Sequence, residues 1–517
     1  GLPAGQIGST ANFFELGGHS LLIIQMLARL QSAGLRVDAH SVFASATLGD
    51  LAARIEQTHE VHYVAPPNAI PAGCTRIEPA MLPLVDLTQD EIDAIVAMVP
   101  GGAGNVQDIY PLAPLQEGVL FHHLMHEEHD PYVLPLLLSV EGEARRDAFL
   151  AALQATVARH DVLRTAVLTR GLARPVQLVL REAVLPVEEL ALDPAEDAQV
   201  QLQRRLEARV RMDLSSAPLL RASMAQDPDS ARWYLLLHLH HIVCDHIGME
   251  IIQHELHAHL AGQGHLLAPA QPYREFVAHA LHQAGQRDAE AFFHATLGDV
   301  DEPTAPFQLL DVHGDGGTIE QASRMLDDTL ASRIRAMARR QRVSPAVLFH
   351  AAWALVVSAC SGRDDVVFGT VLSGRLQGTR GAEAMMGMFI NTLPLRLRLD
   401  GRDAVQLVSD VDTALRALLP YEQTSLARAQ ACSALPSGTP LFSAVLNYRH
   451  TALSEGDVED EMSVLGARER TNYPFAVSVN DFGQAFSLDA QVDRSVEAAR
   501  VLAYVEAATE SLLQALE

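Results

Sequence analysis

Cysteine is scarce in this 517-residue chain: there are four, Cys74, Cys244, Cys360 and Cys432, and no two stand as CxxC. That scatter points away from a disulfide framework or a zinc ribbon and fits a reducing, cytoplasmic setting. Basic residues are outnumbered, 38 Lys+Arg against 64 Asp+Glu, for a formal net charge of −26. Nucleic acid and anionic membranes both need basic surface, so neither is an expected partner. Long apolar runs are missing as well. The most apolar stretch, Ala346 to Cys360, is interrupted by His350. It is shorter than the roughly 18 residues of a membrane span and reads as a buried helix. Gly1-Leu2-Pro3-Ala4-Gly5 lacks the charged and apolar regions of a signal peptide. No internal repeat or low-complexity tract is found.

What is present is apolar mass, 48% of the residues, enough for several cores. At roughly 150 residues per domain the length suggests three or four compact units. Residues 12–57 read as helical, with Leu21, Ile24, Leu27 and Ala28 at helical spacing and a second helix opening at Thr47-Leu48-Gly49-Asp50. Ala65-Pro66-Pro67-Asn68-Ala69-Ile70-Pro71-Ala72-Gly73 then reads as an extended, semi-rigid linker. A helix is expected from Thr88 to Val99, with Thr88 as N-cap and Glu91 completing a capping box. From Asp108 helices and strands alternate. Helices are expected at Pro114–His123, Arg146–Arg159, Ile247–Leu260 and Ser344–Ala359. Strands are expected at Leu163–Leu168, Trp233–Leu239, Val366–Leu372, Thr392–Leu399 and Phe442–Asn447, so two α/β units follow one small helical unit.

Two motifs carry chemistry. Ser20, in Gly17-Gly18-His19-Ser20-Leu21, stands where a helix begins. Backbone N–H groups and the helix dipole there favour an anion such as a phosphodiester, although serine at such a position also serves simply as an N-cap. His240-His241-Ile242-Val243-Cys244-Asp245 follows a strand that reads as buried on both faces. Adjacent strand residues point to opposite faces, so one histidine faces a given cleft and the other is structural. Histidine suits proton transfer near neutral pH. Paired core histidines are the plainer reading. A metal cluster of His238, His240, His241, Asp245 and His246 fits badly, because the HxHxDH spacing of metallo-hydrolases is not kept. No metal is expected.

Asn12-Phe13-Phe14-Glu15-Leu16-Gly17-Gly18-His19-Ser20-Leu21-Leu22 resembles the core motif of peptidyl carrier domains of nonribosomal peptide synthetases. The resemblance implies 4′-phosphopantetheine on Ser20, placed there by a phosphopantetheinyl transferase. Such carriers have a further helix before this motif, and here the motif stands too near Gly1 to include it. A piece of a larger synthetase is therefore expected, with an upstream adenylation domain and a downstream carrier domain as partners.

Tyr110-Pro-Leu-Ala-Pro-Leu-Gln116, Arg159-His-Asp-Val-Leu-Arg-Thr165, His240-His241-xxx-Asp245, Tyr273-Arg-Glu-Phe276, Gly387-Met-Phe-Ile-Asn-Thr392 and Tyr473-Pro-Phe475 follow in that order. They resemble the core motifs of nonribosomal condensation domains. This implies a small all-α carrier domain followed by a two-lobed α/β condensation domain with chloramphenicol acetyltransferase-like lobes and an active site at their junction. The expected divisions are 1–58 carrier, 59–107 linker, 108–275 first lobe and 276–517 second lobe. The resemblance makes His241 catalytic, with His240 beside it, and makes Asp245 structural through Arg375 of Ser373-Gly374-Arg375.

Phe121-His122-His123-Leu124-Met125-His126-Glu127-Glu128-His129-Asp130 resembles the extra signature, HH(I/L)xxxxGD, of the dual epimerization/condensation subtype, departing from it with His129 in place of glycine. His246, and the run from Thr439 to Arg449, also resemble that subtype. It implies inversion of an L-configured donor on the carrier before condensation, with His122 and His123 shaping the site or relaying a proton. The alternatives are an ordinary condensation domain and a non-catalytic docking domain. A dedicated epimerization domain is disfavoured because no EGHGRE-like segment follows the histidine motif.

Overall fold

The computed structural model describes residues 7–14, 16, 18, 22–23, 26–27, 29–30, 33, 35, 37, 41–42, 45–57, 63–312, 314, 319–375, 381–382, 384–450 and 462–517. Ser20 lies outside the described residues. The helix Leu48–Gln57 opens as expected, with Thr47 Oγ1 accepting from the Asp50 N–H and Asp50 accepting from the Thr47 N–H, both at 3.1 Å. Phe14, Ile23, Val42 and Leu51 bury a small core together with Leu419.

The stretch expected to be a linker is packed from residue 63 onward. An extended, proline-rich backbone leaves its carbonyls without ladder partners, so they need outside donors. Every one of the 38 cationic side chains is arginine, and the guanidinium presents five donors in a rigid fork. Arg181 Nη2 donates to the carbonyls of Ile70 (2.9 Å) and Pro71 (3.1 Å), and Arg274 reaches the carbonyl of Pro66. Ile70, Ile77, Leu82, Ile92 and Ile95 share one core with Ile109, Val176 and Leu178. The helix Gln89–Met98 carries the expected capping box of Thr88 and Glu91.

Fourteen strands among the described residues form three sheets. The first-half strands are β1 (Val106–Pro111), β2 (Val133–Glu141), β3 (Thr165–Leu168), β4 (Val176–Leu180), β5 (Val187–Glu189), β6 (Leu220–Gln226) and β7 (Arg232–His240). The second half adds β8 (Ile319–Met325), β9 (Asp365–Leu372), β10 (Asn391–Arg398), β11 (Ala444–His450), β12 (Met462–Ala467), β13 (Phe475–Asp481) and β14 (Phe486–Asp493). The sheet orders are β1-β4-β3, β12-β2-β7-β6-β5 and β10-β9-β11-β13-β14-β8. The helix Pro345–Ser361 is buried along most of its length, as the apolar run implied. No single helix among the described residues is long and apolar enough to cross a membrane.

The expected division between residues 275 and 276 is crossed twice. Strand β12 leaves the second half and pairs antiparallel with β2, Met462 opposite Val140. Ala382, Met385, Met386 and Phe389 sit in the core built by Phe149, Leu153, Leu235 and Leu237. Two glycines permit the second crossing. A Cβ on Gly387 (φ +151°) would lie 2.2 Å from the Tyr273 ring, and one on Gly374 (φ +67°) would lie 1.8 Å from the Phe389 carbonyl oxygen. The second half thus supplies a strand and a core segment to the first, which fixes the junction between them.

Candidate active site

Strand β7 delivers the histidine pair. Val133 of β2 is registered with His240, the last residue of β7. The next residues turn into a short 3-10 helix, His241–Val243, and the helix His246–Leu260 follows. The turn separates the two rings. His240 is fully buried; its Nε2 donates to Asp130 Oδ2 at 2.8 Å, and its Nδ1 accepts from the Ile242 N–H at 3.1 Å. Burial lowers its pKa more than Asp130 raises it, so the ring is neutral in a fixed tautomer.

His123, from the helix Pro114–Met125, donates its Nδ1–H to the same Asp130 oxygen at 2.6 Å. Burial pushes the Asp130 carboxyl up, but the hydrogen bonds from His123 and His240 outweigh it and hold the group well below the usual carboxylate range. His123, Asp130 and His240 are all buried, with candidate ligand atoms within 4.8 Å of one another, as a metal site would require. Hydrogen bonds at 2.6 and 2.8 Å account for both short contacts.

His241 faces elsewhere. It is half-buried and lines a cavity of about 490 Å³. His241, Asp245 and His246 line it from the first half, and Arg375, Arg449 and Glu469 from the second. The His241 backbone N–H donates to the Tyr132 carbonyl at 2.7 Å. Its Nδ1 is buried without a hydrogen-bond partner among the described residues, which leaves Nε2 as the nitrogen a substrate can reach. A neutral imidazole there accepts a proton from a bound amine.

Asp245 braces the loop. Arg375 Nη2 donates to both its oxygens, at 2.9 and 3.0 Å, and the Gly248 N–H donates to Oδ1 at 2.8 Å. The Phe389 N–H reaches Oδ2 at 3.3 Å, and the Arg375 guanidinium lies 3.8 Å above the Phe389 ring. Both charged groups are buried, at 1% and 3% exposure, so the pair must stay matched. This is the pairing expected of Asp245 and Arg375.

The other expected groups divide. His123 and His240 stand off the cavity lining, with their rings bonded to Asp130. His122 also stands off the lining. Its Nε2 lies 3.3 Å from Asn472 Nδ2, and its ring centroid is 5.9 Å from that of Tyr132. Tyr132 in turn donates to Asn472 Oδ1 at 2.9 Å and sets its ring 6.4 Å from His241, edge to face. Tyr132, Asn472 and Glu469 went unmarked in the sequence. Asp130 had a signal as the last residue of the signature, and Arg449 as the last residue of the run from Thr439. The other three reach the site through long-range pairing, which no local pattern announces.

A Cβ on Gly18 would lie 2.2 Å from the Phe13 ring, so this glycine of the motif is sterically required.

The Condensation domain family model matches residues 106–517, and the Phosphopantetheine attachment site model matches residues 1–55. The chain is 46% identical to malpibaldin synthetase of Mortierella alpina over 520 residues, covering 100% of this chain and 9% of that protein. It is 45% identical to malpinin synthetase of Mortierella alpina, covering 99% of this chain and 7% of that protein. The chain thus spans under a tenth of the length of these two relatives. In fold it is similar to the condensation domain of the Monacolin K polyketide synthase, with a TM-score of 0.63 and 20% identity over 79% of this chain and 98% of that one.

Proposed function

The chain belongs to the condensation-domain family, with a phosphopantetheine attachment segment ahead of the condensation part, and on that premise we propose that it joins a donor held on Ser20 to the amine of an acceptor held by a downstream carrier. The observation that carries this reading is the position of His241: one reachable ring nitrogen, in a cavity lined by both lobes. The synthetase names of the Mortierella alpina relatives agree with it. Bound to Ser20, 4′-phosphopantetheine supplies a thioester whose carbonyl accepts the amine nitrogen and whose sulfur leaves as the thiol, taking the proton the amine gives up.

The protein's own residues do the rest. His241 takes the proton from the attacking nitrogen. His240, locked to Asp130, and Asp245, locked to Arg375, hold the His241 turn from both sides. The lobe junction confines the two reactants, and positioning supplies much of the rate of such a reaction. A free α-amine has a pKa of about 8, so little help is needed to deprotonate it. The partners in this reading are an adenylation domain, a downstream carrier and a phosphopantetheinyl transferase. The test is donor loading followed by addition of a carrier-borne acceptor: a dipeptide product supports the reading, and a loaded donor that never transfers rejects it.

A second activity, inversion of the donor α-carbon before condensation, is favoured by one observation. Two positions of the dual signature, His123 and Asp130, stand directly behind His240 and so behind the turn that carries His241. In this reading His241 removes the α-proton, and a proton returned to the opposite face gives the D-isomer. Tyr132, joined to His122 through Asn472, sets its ring edge to face with His241. An α-deuterated L-donor on Ser20 in ordinary water should lose its label and appear as the D-residue in the product. Retained deuterium with normal peptide formation leaves the ordinary condensation reading.

A further inference from the structure

Most charges facing the cavity are matched to one another. Asp245 pairs with Arg375, Glu255 lies 2.8 Å from Arg159 Nε, and Glu250 lies 3.4 Å from His246. Glu469 is different. Its Oε2 accepts from Arg449 Nη1 at 3.2 Å, while its side chain remains 49% exposed and its Oε1 has no donor among the described residues.

The backbone of Glu469 is clamped. Its carbonyl accepts from Gln321 Nε2 at 2.7 Å and from Gln491 Nε2 at 2.8 Å. Those two glutamines are direct cross-strand partners on β8 and β14. A carboxylate held this firmly at the mouth of a reaction cavity, with one oxygen free, is a fixed anionic contact. The charges acting on it are those of Arg449, His241 and His246, and Arg449 also lies 3.8 Å from Asp489. Its neighbours Arg468 and Arg470 engage Glu207 instead, and His450 faces Asp481. Among the described residues no carboxylate hydrogen-bonds His241, in contrast to His123 and His240, which share Asp130.

The geometry points to Glu469 as the residue that receives the α-ammonium of the acceptor and sets it beside His241. This deepens the condensation reading and rests on it. An α-amine with a pKa of about 8 arrives at neutral pH mostly protonated, and a carboxylate in a partly desolvated cleft attracts that charge. The ammonium releases one proton to solvent, which leaves a lone pair on the nitrogen for attack; His241 Nε2 takes the second proton as the nitrogen bonds the thioester carbonyl, and returns it to the departing sulfur. Burial raises the carboxyl pKa, but Arg449 and His241 outweigh it, so the group stays ionised through the neutral range. Glu469 is a substrate-binding and positioning residue, and the proton acceptor is His241.

The experiment compares the wild-type chain, donor-loaded on Ser20, with Glu469→Gln, using an aminoacyl-pantetheine acceptor between pH 6.5 and 9.5. The variant should raise the acceptor KM about tenfold at pH 7, equivalent to about 1.4 kcal/mol, with kcat changed less than threefold. The defect should shrink as pH passes the acceptor's amine pKa, and should shrink at lower pH for an acceptor of lower amine pKa. Glu469→Asp should recover part of the loss. An unchanged KM, or a loss equal at every pH, overturns the assignment. A wild type that makes no peptide would fail the condensation reading itself. Binding of the acceptor against its α-hydroxy analogue then decides for Glu469: preference for the ammonium in the wild type and none in Glu469→Gln supports it, and equal preference in both rejects it.

Discussion

His240 donates its Nε2–H to Asp130 Oδ2 at 2.8 Å, one residue before the ring that faces the cavity. Since His123 holds the same oxygen at 2.6 Å, one buried carboxylate ties the first helix of the signature to the end of β7. Asp130→Asn should therefore cost about 3 kcal/mol, because a buried charged acceptor of two hydrogen bonds is lost. Denaturant melts would measure this. Condensation should fall with it while loading of Ser20 stays normal; an unchanged midpoint and unchanged turnover would show that the cluster does not support the site.

Asp245 and Arg375 form the second brace. Removing either partner strands a buried charge and should cost about 3–5 kcal/mol. The double variant to apolar residues should be less harmed than the sum of the single changes. Thermal melts of all three proteins test this, and single variants that melt like the wild type would reject the pairing as a structural element.

His350 predicts an acid sensitivity in the second lobe. Its ring bonds Thr370 Oγ1 and the Ala346 carbonyl, both at 2.7 Å, and burial lowers its pKa to about 4. The unfolded chain, with a histidine pKa of about 6.5, binds the proton first. The stabilisation is full above that value and is lost as pH falls towards the folded one, about 3 kcal/mol in all. His350→Gln should flatten that part of the stability profile. An identical profile in both proteins would place the acid sensitivity elsewhere.

The packed arm ahead of β1 predicts protection from exchange. Arg274→Ala and Arg181→Ala should each release carbonyls of the Pro66–Pro71 run. Amide exchange at Asn68 and Ile70 should then quicken more than tenfold. Exchange that is already fast in the wild type would mean the arm is loose.

Much of this was legible from sequence because it is local. The Thr88–Glu91 capping box, the burial of Ala346–Cys360 and the alternation at Leu393, Leu395 and Leu397 need only neighbours along the chain. His241 and the Asp245–Arg375 pair came through motif resemblance. Long-range pairing was not legible. Whether His123 and His240 touch substrate depends on Asp130, and that depends on how the first helix meets β7. Glu469 enters the site because β12 crosses to the other lobe's sheet and two glutamines on β8 and β14 clamp the residue just beyond it. The proline-rich arm reads as a linker by composition; arginine donors far along the chain make it part of the fold.

Ser20→Ala should abolish gain of the phosphopantetheine mass in the presence of a phosphopantetheinyl transferase. A variant that still gained it would move the attachment site away from the Gly17-Gly18-His19-Ser20-Leu21 motif.

The most direct measurement is single-turnover dipeptide formation by His241→Ala, with the donor loaded on Ser20 and the acceptor supplied at saturation. Loss of a positioned proton acceptor costs roughly a hundredfold or more, so the rate should fall by at least that factor while loading and melting temperature stay close to wild type. A dipeptide rate within a few-fold of wild type would contradict the account and take the chemistry away from His241.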